Sequence, residues 1–135
     1  MIKATLVFGP CENGKTRLCR AEASRHTQEV RRVLVLGGAK TDYEYAELLS
    51  TDMDKITRYR SFRDLLSAAQ NLPHEGKVLV IIDEPVTISD FDMEKISDLW
   101  TLLKDGWAWI ATQVKGVSEM LELPANSKTI RLEAK

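Results

Sequence analysis

The run Val78-Leu79-Val80-Ile81-Ile82 constrains this chain more than any other feature. Five consecutive apolar residues are too few for a buried helix and leave no polar side to face water, so they read as a strand covered on both faces. Shorter or similar runs at Ile2 to Phe8, Val33 to Leu36, Lys55 to Tyr59, Trp107 to Ala111 and Thr129 to Leu132 supply five more candidate strands. Longer amphipathic segments separate them, at about Gly14 to Val30, Tyr43 to Ser50, Phe62 to Asn71 and Asp92 to Lys104, with a short fifth at about Ser118 to Leu123. Alternation of this kind predicts an α/β fold: three layers, with a mostly parallel six-stranded sheet flanked by helices.

The helical segments carry their own local signals. Met93, Ile96, Leu99, Trp100 and Leu103 recur at helical spacing, and Ser61 stands where an N-cap is needed before Phe62-Arg63-Asp64. Gly37-Gly38, Pro73 with Gly76, and Asp105-Gly106 supply turn chemistry at element ends. With 135 residues, 44% of them hydrophobic, the chain suits a single domain spanning 1–135.

Charge and cysteine content narrow the class further. A net charge of −1 argues against a globally positive protein that coats nucleic acid. Two cysteines, no apolar leader-like start and no 18-residue apolar run give the expectation of a cytoplasmic protein without a membrane span or a disulfide scaffold. His26 and His74 lack metal-ligand spacing.

The segment Gly9-Pro10-Cys11-Glu12-Asn13-Gly14-Lys15-Thr16 fits G-x-x-x-x-G-K-[ST], between a predicted strand and a predicted helix. Glycines at both ends let the backbone curl so that N–H groups converge on anionic oxygens, and the helix adds its positive end. The pattern implies a nucleotide site built from Gly9 to Thr16 and the adjoining Arg17. Lys15 would reach the β- and γ-phosphates of ATP or GTP, and the Thr16 hydroxyl would coordinate Mg²⁺.

Asp83-Glu84 follows the central apolar run, at the strand end where open α/β sheets bind ligands. Asp83 reads as a support for Mg²⁺, and Glu84 as the carboxylate that takes a proton from, or orients, a water attacking the γ-phosphate. An Asp-Glu-Pro sequence after a strand also suits a plain polar turn. Gln113, after the strand Trp107-Ala108-Trp109-Ile110-Ala111 and Thr112, is placed to hydrogen-bond the terminal phosphate, or else simply opens a solvated loop.

Together the phosphate loop, Asp83-Glu84, Ile110-Ala111-Thr112-Gln113, Leu121, Pro124-Ala125-Asn126 and Thr129-Ile130-Arg131 resemble the ATPase core of the FtsK/HerA superfamily of DNA-pumping and genome-packaging motors. That resemblance implies a RecA-like P-loop NTPase sheet with the catalytic glutamate next to the metal-binding aspartate. It also implies a hydrolase acting between subunits of a homo-oligomeric ring and DNA threaded through the centre. In it Lys15 and Thr16 hold phosphate and Mg²⁺, Asp83 supports the metal, Glu84 activates water and Gln113 senses the γ-phosphate. The chain departs from the pattern in its shortness, in Leu36-Gly37-Gly38 where many relatives carry an acid, and in Pro85. Arg58, Arg60, Arg63 and Arg131 are all candidates for an arginine finger.

Gly9-Pro10 with Asp83-Glu84 is also similar to thymidine-kinase-like proteins, whose zinc lid this chain lacks for want of a CxxC pair. A nucleotide-gated switch that hydrolyses little is a third expectation. Charge is polarised along the chain: six basic residues against two acids from Lys15 to Arg32, and seven acids against two lysines from Asp83 to Asp105. The basic segment, read as one helix face, would meet DNA or RNA phosphates, or else be a solvated surface paired with the acidic one or an interface with a second subunit.

Overall fold

The computed structural model describes residues 2–9, 12–37, 40–72, 76–83, 95–112, 122–125 and 127–131, without the side chains at 12–16 and 20. In chain order the elements are β1 (Ile2–Phe8), α1 (Glu12–Ala23), β2 (Val30–Leu36), α2 (Asp42–Leu49), β3 (Ile56–Tyr59), α3 (Phe62–Asn71), β4 (Lys77–Asp83), α4 (Ile96–Leu102), β5 (Gly106–Thr112) and β6 (Lys128–Arg131). Short 3₁₀ turns follow α1 at Ser24–His26 and precede β3 at Met53–Lys55.

All six strands join one sheet in the order β3-β2-β4-β5-β1-β6, and every pairing is parallel. Alternation along each strand divides the core into two layers. Val78, Val80 and Ile82 of β4 pack with Leu6, Leu34 and Ile110 beneath Phe62 and Leu65 of α3 and Ile96 and Leu99 of α4. Leu79 and Ile81 pack instead with Val7, Val33, Val35 and Trp109 beneath Cys19 and Ala23 of α1 and Tyr45 and Leu49 of α2. The central run is therefore buried on both sides, as five apolar residues in succession require. From β1 the chain crosses to β2 and on to the β3 edge, then returns through β4 and β5 to β6. Right-handed crossovers make that reversal put α1 and α2 on one face, α3 and α4 on the other.

Local chemistry sets the element ends. Ser61 accepts from the Asp64 N–H at 3.1 Å, so α3 starts where its cap was expected. Thr41 forms a reciprocal capping box with Glu44, each bond 3.1 Å, and so starts α2.

Two helices differ from the sequence expectation. A helix from Gly14 to Val30 was expected, but α1 stops at Ala23 and Val30 already belongs to β2. Cys19, Ala23, Thr27 and Val30 are all buried and spaced by four, four and three residues, which imitates one continuous helical stripe. The chain instead tightens through Ser24–His26, where the Thr27 hydroxyl donates to the Ser24 carbonyl at 2.9 Å, and turns back towards the sheet. α4 covers Ile96–Leu102 of the expected 92–104, residues 92–94 lying outside those described. Of the short fifth helix, residues 118–121 lie outside the described residues, while Glu122 and Leu123 are irregular. The Trp100 indole N–H donates to the Glu122 carbonyl at 2.8 Å, fastening this segment to α4. No helix among the described residues is long and apolar enough to cross a membrane.

Candidate functional site at the carboxyl edge of the sheet

β1 and β5 are neighbours where the direction of the chain across the sheet reverses, the topological position at which open α/β sheets bind ligands outside the carboxyl ends of their strands. Phe8 is in register with Thr112, and the buried Gly9 N–H donates to the Thr112 carbonyl at 3.2 Å. Pairing thus holds the start of the phosphate-loop motif against β5.

The helix after it begins at Glu12, two residues earlier than expected, so Glu12, Asn13, Gly14, Lys15 and Thr16 all lie within α1. An acidic residue in a first turn is favoured by the helix dipole, and nothing in Glu12-Asn13 forbids helical backbone. A helix leaves its first four N–H groups without an intrahelical acceptor. In α1 these include the N–H groups of Glu12, Asn13 and Gly14. Pro10 and Cys11 lie outside the described residues, and Arg17 is exposed on α1.

Asp83 ends β4, in register with Ala111, which in turn pairs with Val7. One strand, β5, therefore separates the phosphate-loop strand from the aspartate strand. Two inter-strand spacings put their ends about 10 Å apart. Glu84 and Gln113 lie outside the described residues, directly after Asp83 and Thr112.

Asp83 is on the α1 and α2 side of the sheet, and two donors that the sequence reading missed converge on its Oδ2. The Tyr45 hydroxyl donates at 3.0 Å and the Lys40 ammonium lies at 3.4 Å. The ammonium also sits 5.8 Å from the centre of the Tyr45 ring. Burial raises the Tyr45 phenol well above its ordinary pKa, helped by the charge and hydrogen bond of Asp83, so the hydroxyl stays a donor. Burial likewise pushes the Cys19 thiol up to about 12, with the Asp83 charge adding and Lys40 opposing.

Gly37, one residue past β2, makes this convergence possible. A Cβ there would come within 3.2 Å of the Asp83 Cβ and carbonyl oxygen and of the Tyr45 hydroxyl. Arg58 braces the segment after it, donating through Nη1 to the Lys40 carbonyl at 2.9 Å and pairing with Asp42. Of the four arginine-finger candidates, Arg58 is thus engaged within its own chain.

The signal for Lys40 and Tyr45 was faint. Tyr45 occupies an apolar helical position, and Gly37-Gly38 reads as a turn rather than as room for a carboxylate. Neither residue sits in a spacing that marks a site.

The basic segment is not one helix face. Arg17 lies on α1, Arg25 follows it and pairs with Glu22 at 3.8 Å, and Arg31 and Arg32 lie near the start of β2, at the amino edge of the sheet. The early end of α1 causes this division. A cavity of about 260 Å³ also opens towards the amino edge, lined by Lys3, His26, Trp107, Trp109 and Lys128 among others, away from Gly9 and Asp83.

Among the described residues no three His, Cys, Asp or Glu side chains cluster as a metal site. No family model matches this chain, and no curated protein matches it.

Proposed function

We propose that the chain is a P-loop NTPase domain of RecA-like type, and that its activity is Mg²⁺-dependent ATP or GTP hydrolysis coupled to moving or remodelling nucleic acid. One observation carries this reading: the strand that leads into G-x-x-x-x-G-K-T and the strand that ends in Asp83 flank a single intervening strand, with both ends at the same edge. Supporting it is the α1 amino terminus at that edge, where free backbone N–H groups and the helix dipole favour a phosphate. Asp83 fits a divalent cation because its carboxylate, 21% exposed, already holds a cationic group. Mg²⁺, when bound, would neutralise charge on the β- and γ-phosphates.

In this reading the N–H groups at the amino terminus of α1 hold the phosphates, Lys15 compensates their charge and the Thr16 hydroxyl helps to hold the metal. Glu84 accepts the proton of the attacking water, and Gln113 hydrogen-bonds the γ-phosphate so that its loss is felt along the following segment. The nucleic-acid coupling rests on the resemblance to FtsK/HerA motors, and DNA binding and a homo-oligomeric ring follow from it only as proposals.

Phosphate release by the purified protein, with and without DNA, tests the reading. We expect Mg²⁺-dependent turnover that DNA stimulates and that Glu84→Gln lowers by roughly 100-fold or more, the scale of a lost general base. Phosphate transfer to a nucleoside without DNA would replace the motor by a kinase. Nucleotide binding without turnover under either condition would leave a switch.

A further inference from the structure

Asp83 is partnered in a way that the proposed hydrolysis does not by itself require. Its Oδ2 receives the Tyr45 hydroxyl at 3.0 Å and the Lys40 ammonium at 3.4 Å, and both charged side chains are only about one-fifth exposed, at 20% and 21%. Lys40 has its backbone clamped on two sides. Its carbonyl accepts from Arg58 at 2.9 Å, and Thr41, the next residue, is the N-cap of α2. A fixed backbone with a flexible side chain suits a charge that returns to one place after being displaced. The Tyr45 hydroxyl holds the carboxylate's orientation whichever cation it faces.

We propose that Lys40 is a positioning residue that competes with the divalent cation for Asp83, so that metal binding waits for the nucleotide. This rests on the nucleotide-site reading above. Without nucleotide the ammonium neutralises the carboxylate, and a cation arriving alone must displace it to reach Asp83. With a triphosphate present, the phosphate oxygens contribute further ligands to the cation, and the released ammonium has an anionic partner within the same site. The balance then favours the metal.

Mn²⁺ serves as the probe, its binding followed by loss of the free-ion paramagnetic resonance signal, with and without a non-hydrolysable ATP analogue. The unsubstituted protein is expected to bind Mn²⁺ weakly alone and more tightly with the analogue. Lys40→Gln and Lys40→Met, which remove the charge, should tighten Mn²⁺ binding without nucleotide by roughly three- to tenfold, the effect of deleting one partly screened competing charge. Lys40→Arg should stay close to the unsubstituted protein, and Asp83→Asn should abolish the gain seen in Lys40→Gln. A purely structural Lys40 would lower stability in Gln and Met variants without moving Mn²⁺ affinity, and that result overturns the proposal. Should Lys40→Met fail to fold, Lys40→Gln carries the test, since it keeps a polar donor and most of the length. If the analogue fails to raise Mn²⁺ affinity in the unsubstituted protein, the nucleotide reading falls. If it does raise it while the Lys40 variants change nothing, only the role of Lys40 falls.

Discussion

Cys19 has its chemistry altered by burial near Asp83. It is 5% exposed on α1, beneath the sheet face that carries Asp83, and its thiol is pushed up to about 12 by burial first and by the Asp83 charge second. Because the thiolate is the reactive form, Cys19 stays inert at ordinary pH. In a Cys11→Ser background, alkylation by iodoacetamide at pH 8 should run at least roughly 100-fold slower in the native protein than in urea. Native labelling within tenfold of the unfolded rate would show that the thiol is open or ionised. Asp83 itself was legible in the sequence, because a carboxylate after a doubly buried strand has to emerge at the sheet edge. Its partners were not. Lys40 and Tyr45 reach Asp83 from the loop after β2 and from α2, and only the strand order makes those elements its neighbours.

Strand ends were read well where apolar runs stop abruptly, and helix ends were read well only where a cap marks them. β1 and α3 occupy their expected spans, the latter because Ser61 is both the signal and the physical cap. α1 was read seven residues too far, since Thr27 and Val30 prolong its buried stripe although they belong to a turn and to β2. Gly106 hides another fact of pairing. In the sequence it completes an Asp-Gly turn, yet it is the first residue of β5, with φ +138°, and a Cβ would lie 1.9 Å from the Val78 carbonyl oxygen of β4. Alanine there must push β4 and β5 apart and adopt a backbone conformation that side chains resist. We expect Gly106→Ala to destabilise the fold by about 3 kcal/mol or more in urea unfolding. A loss below about 1 kcal/mol would mean that the strand start relaxes freely.

For the whole molecule, the order β3-β2-β4-β5-β1-β6 is what brings the separate motifs to one edge. Sequence spacing cannot supply it, since Thr16 and Asp83 are about seventy positions apart and a shared edge depends on which strands become neighbours. Parallel pairing sends β1, β4 and β5 to the same edge, and the reversal of chain direction there is the arrangement in which such sheets bind ligands. The amino edge, with Arg31, Arg32, Lys3 and the Trp107 cavity, lies at the other end of the strands, so any partner bound there would act at a distance from the proposed phosphate site. If the chain is a P-loop NTPase, the Gly9–Thr16 segment holds a nucleoside triphosphate. Calorimetric titration of the protein with ATP and with GTP in the presence of Mg²⁺, beside the same titration of Lys15→Ala, measures this directly. We predict saturable binding of at least one nucleotide, weakened by Lys15→Ala at least roughly tenfold, the loss of one charge-assisted phosphate contact. Equal affinities in a folded Lys15→Ala protein, or no binding by the unsubstituted one, would contradict it.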